Sequence, residues 1–185
     1  MKPILHSERL ILKVLDGRNA AEVLEFMLRN KEFFEPWEAV RSEEFFTLAY
    51  QEDLLVKEFS QFRKRELYKL WMFRKEEPEK VIGSIALSNI VYGAFQSCHL
   101  GYRIDQSAQG RGLMTEAVAA LADYAFSELG LHRIEANIMP RNKASLKVAE
   151  KAGFYHEGLA LRYLKINGIW EDHIHMVLRN EALEG

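Results

Sequence analysis

The sequence predicts one α/β domain in which a mixed, mostly antiparallel central sheet is flanked by helices. Its 185 residues with 48% hydrophobic content suit a single core rather than two. Apolar residues recur with period two in some segments and with period 3.6 in others, the signatures of strands and of amphipathic helices. The segments run β, α, α, three β, α, β, α, β, β, an order that packs helices onto a mixed sheet. No repeat, linker or low-complexity stretch interrupts it, so residues 1–185 read as one domain.

Alternation over Arg9-Leu-Ile-Leu-Lys-Val-Leu15 opens the chain with a strand. Asp16 then offers an N-cap for a helix carrying Ala20, Val23, Leu24 and Met27 on one face. Acids crowd residues 31–53, broken by Phe33-Phe34 and Pro36-Trp37, and part of this stretch reads as loop. A second helix fits residues 45–64, where Leu48, Leu55, Phe59 and Phe62 recur at helical spacing. Segments 68–73, 81–87 and 97–104 have strand character, and antiparallel hairpins are the economical way to join them. Met114, Val118, Leu121, Ala122, Ala125, Phe126 and Leu129 form one face of a long helix that Gly130 ends. A strand over 133–138 leads to Asn142, an N-cap for a helix with Leu146, Ala149 and Ala152 inside and Gly153 as C-cap. Two last strands flank Asn167-Gly168, a strong hairpin-turn signal.

Charge and cysteine usage exclude several functions. The 25 basic residues against 27 acidic ones make a net charge of -2, so no global basic field exists to bind nucleic-acid backbones. The single cysteine, Cys98, forms neither an internal disulfide nor a thiolate cluster, and it reads as a small core hydrophobe in a reducing compartment. Charge meets the N-terminus before any signal-peptide core, and no 18-residue apolar run follows. A cytoplasmic protein with no membrane contact is expected.

The informative stretch is Ser107-Ala-Gln109-Gly110-Arg111-Gly112-Leu113-Met114, between a strand and the best helix. Glycine permits positive φ and close backbone approach, and the free N–H groups of a helix start favour a phosphate. A plain strand-to-helix turn explains the glycines equally well until context is added. A Walker A loop needs Gly-Lys-Ser/Thr, which Gly112-Leu113-Met114 lacks. A dinucleotide fingerprint needs a third glycine where Thr115 stands, and a turn after the first strand rather than after several hairpins.

The turn resembles the acetyl-CoA pyrophosphate loop of the GCN5-related N-acetyltransferases, Gln/Arg-x-x-Gly-x-Gly/Ala, with Ser107 departing at the first position. Asn142-Lys-Ala-Ser145 and Glu150-Lys-Ala-Gly-Phe154 follow in the family's order. The likeness narrows to the RimJ-like ribosomal-protein alanine N-acetyltransferases on Glu8-Arg-Leu-Ile-Leu12, Glu35-Pro-Trp-Glu-Ala-Val-Arg41, Leu87-Ser-Asn-Ile-Val-Tyr-Gly-Ala-Phe95, Cys98-His-Leu-Gly-Tyr102, His132-Arg-Ile-Glu-Ala-Asn137 and Asn167-Gly-Ile-Trp-Glu-Asp-His173. The resemblance implies the GCN5-related N-acetyltransferase fold and acetyl-CoA as the acetyl donor. It implies as acceptor the N-terminal alanine of small-subunit ribosomal protein number five, presented on a basic tail, with possible ribosome contact and no sequence-specific nucleic acid. The resemblance implies cofactor contacts at Tyr102, Arg103, Ile104, Gln109, Gly110, Arg111, Gly112, Leu113, Met114, Asn137, Asn142 and Ser145.

Acetyl transfer needs a neutral amine, donors for the developing oxyanion and a proton for the leaving thiolate. A free α-amine has a pKa of about 7.7–8.0, so roughly a tenth is neutral at pH 7, far more than for lysine. Ser145, in the first turn of its helix, either serves the cofactor sulfur or only bonds the backbone; the family resemblance favours the sulfur. For the base, His99, Glu38 and Glu157 compete: His99 for its intrinsic pKa, the two acids against a default of solvation. His173 and His175 share a strand face but lack a third ligand, so no metal site is assigned. Two rivals stand beside the protein acetylase: the same chemistry on a small amine, and an acyl-CoA-binding module that docks on the ribosome without turnover.

Overall fold

In the computed structural model, which describes residues 3–185, the start of the chain forms two short antiparallel strands, β1 (Ile4–His6) and β2 (Leu10–Lys13). The first lies outside the expected strand, since three residues are too few to display a period. Asp16 accepts from the Arg18 N–H and caps a short 3-10 turn that feeds α1 (Ala20–Arg29). The acidic stretch holds α2 (Lys31–Phe34) and two more 3-10 turns, Glu35–Trp37 and Glu43–Phe46. Thr47 then caps α3 (Leu48–Arg63).

Three strands follow: β3 (Tyr68–Arg74), β4 (Glu77–Val91) and β5 (Ser97–Ile104). They pair as antiparallel neighbours, as expected, although β4 is far longer than its apolar centre. The rest of the chain supplies α4 (Leu113–Ser127), β6 (Arg133–Ile138), α5 (Lys143–Lys151), β7 (Tyr155–Ile166) and β8 (Ile169–Arg179). Asn167 and Gly168 both have positive φ at the tip of the last hairpin, the conformation a two-residue type I′ turn requires.

The strands form one sheet in the order β1-β2-β3-β4-β5-β6-β8-β7, and among the described residues only the β5–β6 pair is parallel. Helices cover both faces of its middle, which explains why β3 is apolar almost throughout instead of alternating. Leu70 and Met72 join the core shared with α4 and α5, whereas Trp71 and Phe73 meet Val23, Phe26 and Met27 of α1 on the opposite face. Cys98 is completely buried, and that burial pushes its thiol up to about 12, so it acts as a small apolar filler. No helix among the described residues is long and apolar enough to cross a membrane.

Candidate active site

The site exists because β5 and β6 stop pairing. Their parallel ladder covers only Ser97–His99 against Arg133–Glu135, after which the strands diverge. Leu100 to Ile104 of β5 and Ala136 to Ile138 of β6 become the walls of a cleft of about 790 Å³. Both strands end at its mouth, and the helices that follow them, α4 and α5, begin there. A crevice at the carboxyl ends of diverging strands is where α/β sheets place their ligands.

One end of the cleft is built for an anion. Gly110 and Gly112 adopt φ of +72° and +75°, and a Cβ on Gly110 would meet nothing within 4 Å. Gly112 is the N-cap of α4 and supplies no side-chain bond, so the first N–H groups of a 15-residue helix stay free to face the cleft. Lys147 and Lys151 add positive charge from α5. The turn is held from two sides. The Arg9 Nη1 donates to the Arg111 carbonyl at 2.9 Å, while its Nε donates to Glu116 Oε2 at 2.7 Å; the same carboxylate accepts from the Ser7 hydroxyl at 2.7 Å. On the other side, buried Asp105 accepts from the Ser107 hydroxyl at 2.7 Å and from Arg29 Nε at 2.7 Å. Ser107 thus anchors the loop through its hydroxyl. Burial pushes the Asp105 carboxyl up, but hydrogen bonds from Ser107, Arg29 and Asn30 outweigh it and hold it at about 2.

The middle holds the two strongest candidates for chemistry. Asn142 caps α5 by accepting from the Ser145 N–H at 3.1 Å, which fixes the first turn so that Ser145 faces β5. Its hydroxyl donates to Tyr102 Oη at 2.9 Å, and Tyr102 donates in turn to the Ser145 carbonyl at 3.0 Å. Burial pushes the Tyr102 phenol up to about 12, despite the opposing bond from Ser145, so it stays protonated at neutral pH.

The far end is walled by Phe33, Phe34 and Trp37, with Glu38 and His173 also in the lining. The Glu38 carboxylate pairs with Arg103 at 3.0 Å and with Arg41 at 3.6 Å. Arg141 clamps this wall: its guanidinium lies 4.9 Å from the centre of the Trp37 ring, donates to the Pro36 carbonyl at 3.0 Å and pairs with Glu171 at 3.0 Å. The Asn167 amide at the β7–β8 turn donates to the Glu35 carbonyl, tying the last hairpin to the same segment.

Of the expected site residues, Ser145, Glu38, Tyr102, Arg103, Ile104, Gln109, Gly110, Gly112, Leu113, Met114, Asn137 and Asn142 line this one cleft. Three sit elsewhere. His99 is still within the β5–β6 ladder, one residue before the strands part, with Nδ1 3.1 Å from the Asn89 amide and Nε2 3.7 Å from Glu135. Arg111 contributes its carbonyl to Arg9 and is not among the lining residues. Glu157 is held by Arg133 at 2.8 Å. Glu157, Glu135 and His175 lie close enough together to suggest a metal, but Arg133 already reaches both carboxylates and supplies the cation. Sequence reasoning missed Ala144, Lys147, Val148 and Lys151, although their i, i+3, i+4, i+7 spacing from Ala144 marks the α5 face beside Ser145.

Comparison with known proteins agrees with this geometry. Residues 9–155 match the family model for the acetyltransferase (GNAT) domain. The chain is 38% identical over 177 residues to "Probable N-acetyltransferase YjcK" of Bacillus subtilis, covering 96% of this chain and 97% of the relative. It is 37% identical over 172 residues to the ribosomal protein uS5-alanine N-acetyltransferase of Escherichia coli, covering 92% and 87%. The crystal structure of the ribosomal-protein-S5-alanine acetyltransferase of Vibrio fischeri superposes with a TM-score of 0.91 at 34% identity over 97% of both chains. Mycobacterium smegmatis RimJ, solved in complex with CoA-disulfide, superposes at 0.89 with 26% identity, over 100% of this chain and 89% of that one. With the diverging strands and the glycine turn inside the matched span, the protein belongs to the GNAT acetyltransferase family.

Proposed function

We propose that the protein transfers the acetyl group of acetyl-CoA to the N-terminal alanine of a small-subunit ribosomal protein, number five, by direct attack of the amine and without a covalent enzyme intermediate. The observation that carries this reading is one cleft with a phosphate cradle at one end, a hydroxyl pair in the middle and an aromatic-walled end beyond it. Relatives named for uS5-alanine acetylation, similar along nearly the whole chain, support the acceptor. We place the reaction in the cytoplasm, where ribosomal proteins are made.

Acetyl-CoA, when bound, supplies the thioester. Gly110, Gly112 and the start of α4 would hold its pyrophosphate, with Lys147 and Lys151 beside it. The exposed edges of β5 and β6 offer main-chain donors to its amide-bearing arm and to the carbonyl oxygen on which charge develops. Ser145, backed by Tyr102, would supply the proton that the departing sulfur needs. Phe33, Phe34 and Trp37 bound a space suited to a side chain as small as alanine. Exposed Glu32, Glu35 and Glu44, which make no ion pair among the described residues, face solvent nearby and suit a basic tail.

Gly112→Val tests the cradle. A β-branched residue forced to φ near +75° costs about 1–2 kcal/mol in the turn itself and would put a branched side chain where the pyrophosphate is proposed to sit, so acetyl-CoA is expected to bind at least about tenfold more weakly. Calorimetry giving the parental affinity for a folded variant would remove the pyrophosphate from this turn.

The acceptor is tested by incubating the enzyme with acetyl-CoA and peptides that differ only in their first residue, followed by mass measurement. Acetylation is expected at the α-amine of Ala-initiated basic peptides. Transfer to polyamines or other small amines with no preference for such peptides would replace the protein substrate with a small one. Binding of acetyl-CoA with no transfer to any amine would make the protein a binding module.

A further inference from the structure

We infer that His173 is the proton acceptor on the amine side of the cleft, its tautomer fixed by the backbone. The imidazole is 3% exposed and belongs to the cleft lining, at the end walled by Trp37. Two residues before it, Glu171 holds Arg141 against that tryptophan, so β8 delivers His173 to the same end. Its Nδ1 lies 3.0 Å from the Glu171 carbonyl oxygen. A carbonyl only accepts, so Nδ1 carries the proton and the lone pair resides on Nε2. Among the described residues Nε2 makes no hydrogen bond, and the Tyr163 ring, 5.7 Å away, packs against the imidazole from β7.

The other candidates of the cleft and its surroundings are less free. Glu38 is engaged by Arg103 and Arg41, and His99 lies inside the paired ladder. Asn137, on the strand next to β8, also lines the cleft, and its buried Oδ1 makes no hydrogen bond among the described residues. An ammonium entering here would meet His173 Nε2 as an acceptor that can take a proton. The charged and titratable groups around His173 are Tyr163 from β7, the Glu171–Arg141 pair, His175 on its own strand and, in the shared cleft, the Glu38–Arg103 pair, Tyr102, Lys147 and Lys151.

This assignment rests on the proposed reaction. The peptide ammonium loses one proton to His173 Nε2; the freed amine forms the C–N bond to the acetyl carbon as the C–S bond breaks. The imidazolium passes its proton to solvent, and the second proton, shed by nitrogen as the C–N bond forms, restores the Ser145 hydroxyl that gave its own proton to sulfur, so one proton is released in all. At pH 7 about nine-tenths of the α-amine is protonated in water, so an internal acceptor matters most there and least above pH 9.

The test is the pH dependence of kcat/KM for the parent and for His173→Asn, whose amide keeps a donor near the Nδ1 position but has no basic nitrogen. The variant is expected to fall about 30- to 300-fold at pH 7, with the gap closing toward pH 9 and acetyl-CoA affinity within about twofold. A gap under about threefold at pH 7, or one equal at every pH, returns His173 to a packing role. If the Asn variant does not fold, His173→Gln takes its place. Imidazole nitrogen shifts of the parent decide independently of activity: the Nδ1–H form is expected, and the Nε2–H form overturns the inference. If the parent prefers another amine, the substrate reading fails alone, and the same comparison is run on that amine.

Discussion

Asp105→Ala is expected to lower stability by about 2–4 kcal/mol and the midpoint of thermal unfolding by roughly 5–15 °C. The carboxylate is 2% exposed as a residue and gathers Arg29 Nε at 2.7 Å, the Ser107 N–H at 2.9 Å and hydroxyl at 2.7 Å, and the Asn30 amide at 3.3 Å. Truncation leaves the Arg29 guanidinium, about a quarter exposed, with its bond to the Val81 carbonyl and the exposed Glu25 as its remaining partners. Glu25 recovers part of the loss, which sets the estimate below the full cost of orphaning a buried charge. The effect has a defined pH window. The carboxyl is depressed in the fold from 3.8 to about 2, so its contribution is complete above pH 5 and disappears as pH falls from about 4 through 2. That depression corresponds to about 2–3 kcal/mol. Parent and variant should therefore differ by a constant amount from pH 5 to 8 and converge in acid. A midpoint shift under about 2 °C at pH 7 would show that the network is dispensable. Because Ser107 hangs on this carboxylate, weaker acetyl-CoA binding is expected alongside the lost stability.

What could be read in the sequence follows from the range of the interactions involved. Helix α5 was legible because its signals are local: Asn142 at the cap, Leu146 and Ala149 on the buried face, and Gly153 with φ of +89° just past the end. The same holds for the glycine turn, the 97–104 and 133–138 strands and the Asn167-Gly168 hairpin. Strand β1 has three residues and pairs only with β2, so no pattern announced it. Placement in the cleft was legible only where the chain itself crosses it. Arg9 reaches Glu116 and Arg111 across more than a hundred residues, and nothing in either segment encodes the meeting. His99 shows the converse. Its type and strand were right for a base, but the ladder with β6 continues through it, and the point at which two parallel strands part depends on the whole sheet. In the sequence His173 carries no helix or turn signal and stands out only as one of two histidines on a strand face. Its significance lies in the Glu171 carbonyl beside it and the cleft in front of it.

The pairing of Ser145 with Tyr102 sets the last expectation. Read alone, Ser145→Ala should lower turnover by tenfold to a thousandfold if the hydroxyl protonates the leaving sulfur. The structure extends this to Tyr102, whose Oη lies 2.9 Å from the Ser145 Oγ and 3.0 Å from the Ser145 carbonyl, so a proton can pass between the two hydroxyls as the serine turns to the sulfur. Burial that pushes the phenol up to about 12 keeps it neutral, so it orients the serine and holds a proton instead of presenting a phenolate. Two groups acting as one unit lose their effect once. Tyr102→Phe is therefore expected to approach the defect of Ser145→Ala, and the double variant should be no worse than about threefold below the poorer single one. Acetyl-CoA affinity should change by less than about threefold in all three, since the phosphate cradle is built by Gly110, Gly112 and the start of α4 and not by these two side chains. Single-turnover rates on an Ala-initiated peptide isolate the chemical step. Multiplied defects in the double variant would mean that the two hydroxyls act separately, and an unchanged rate in Ser145→Ala would reduce Ser145 to a helix-start residue and move the proton donor to Tyr102 alone.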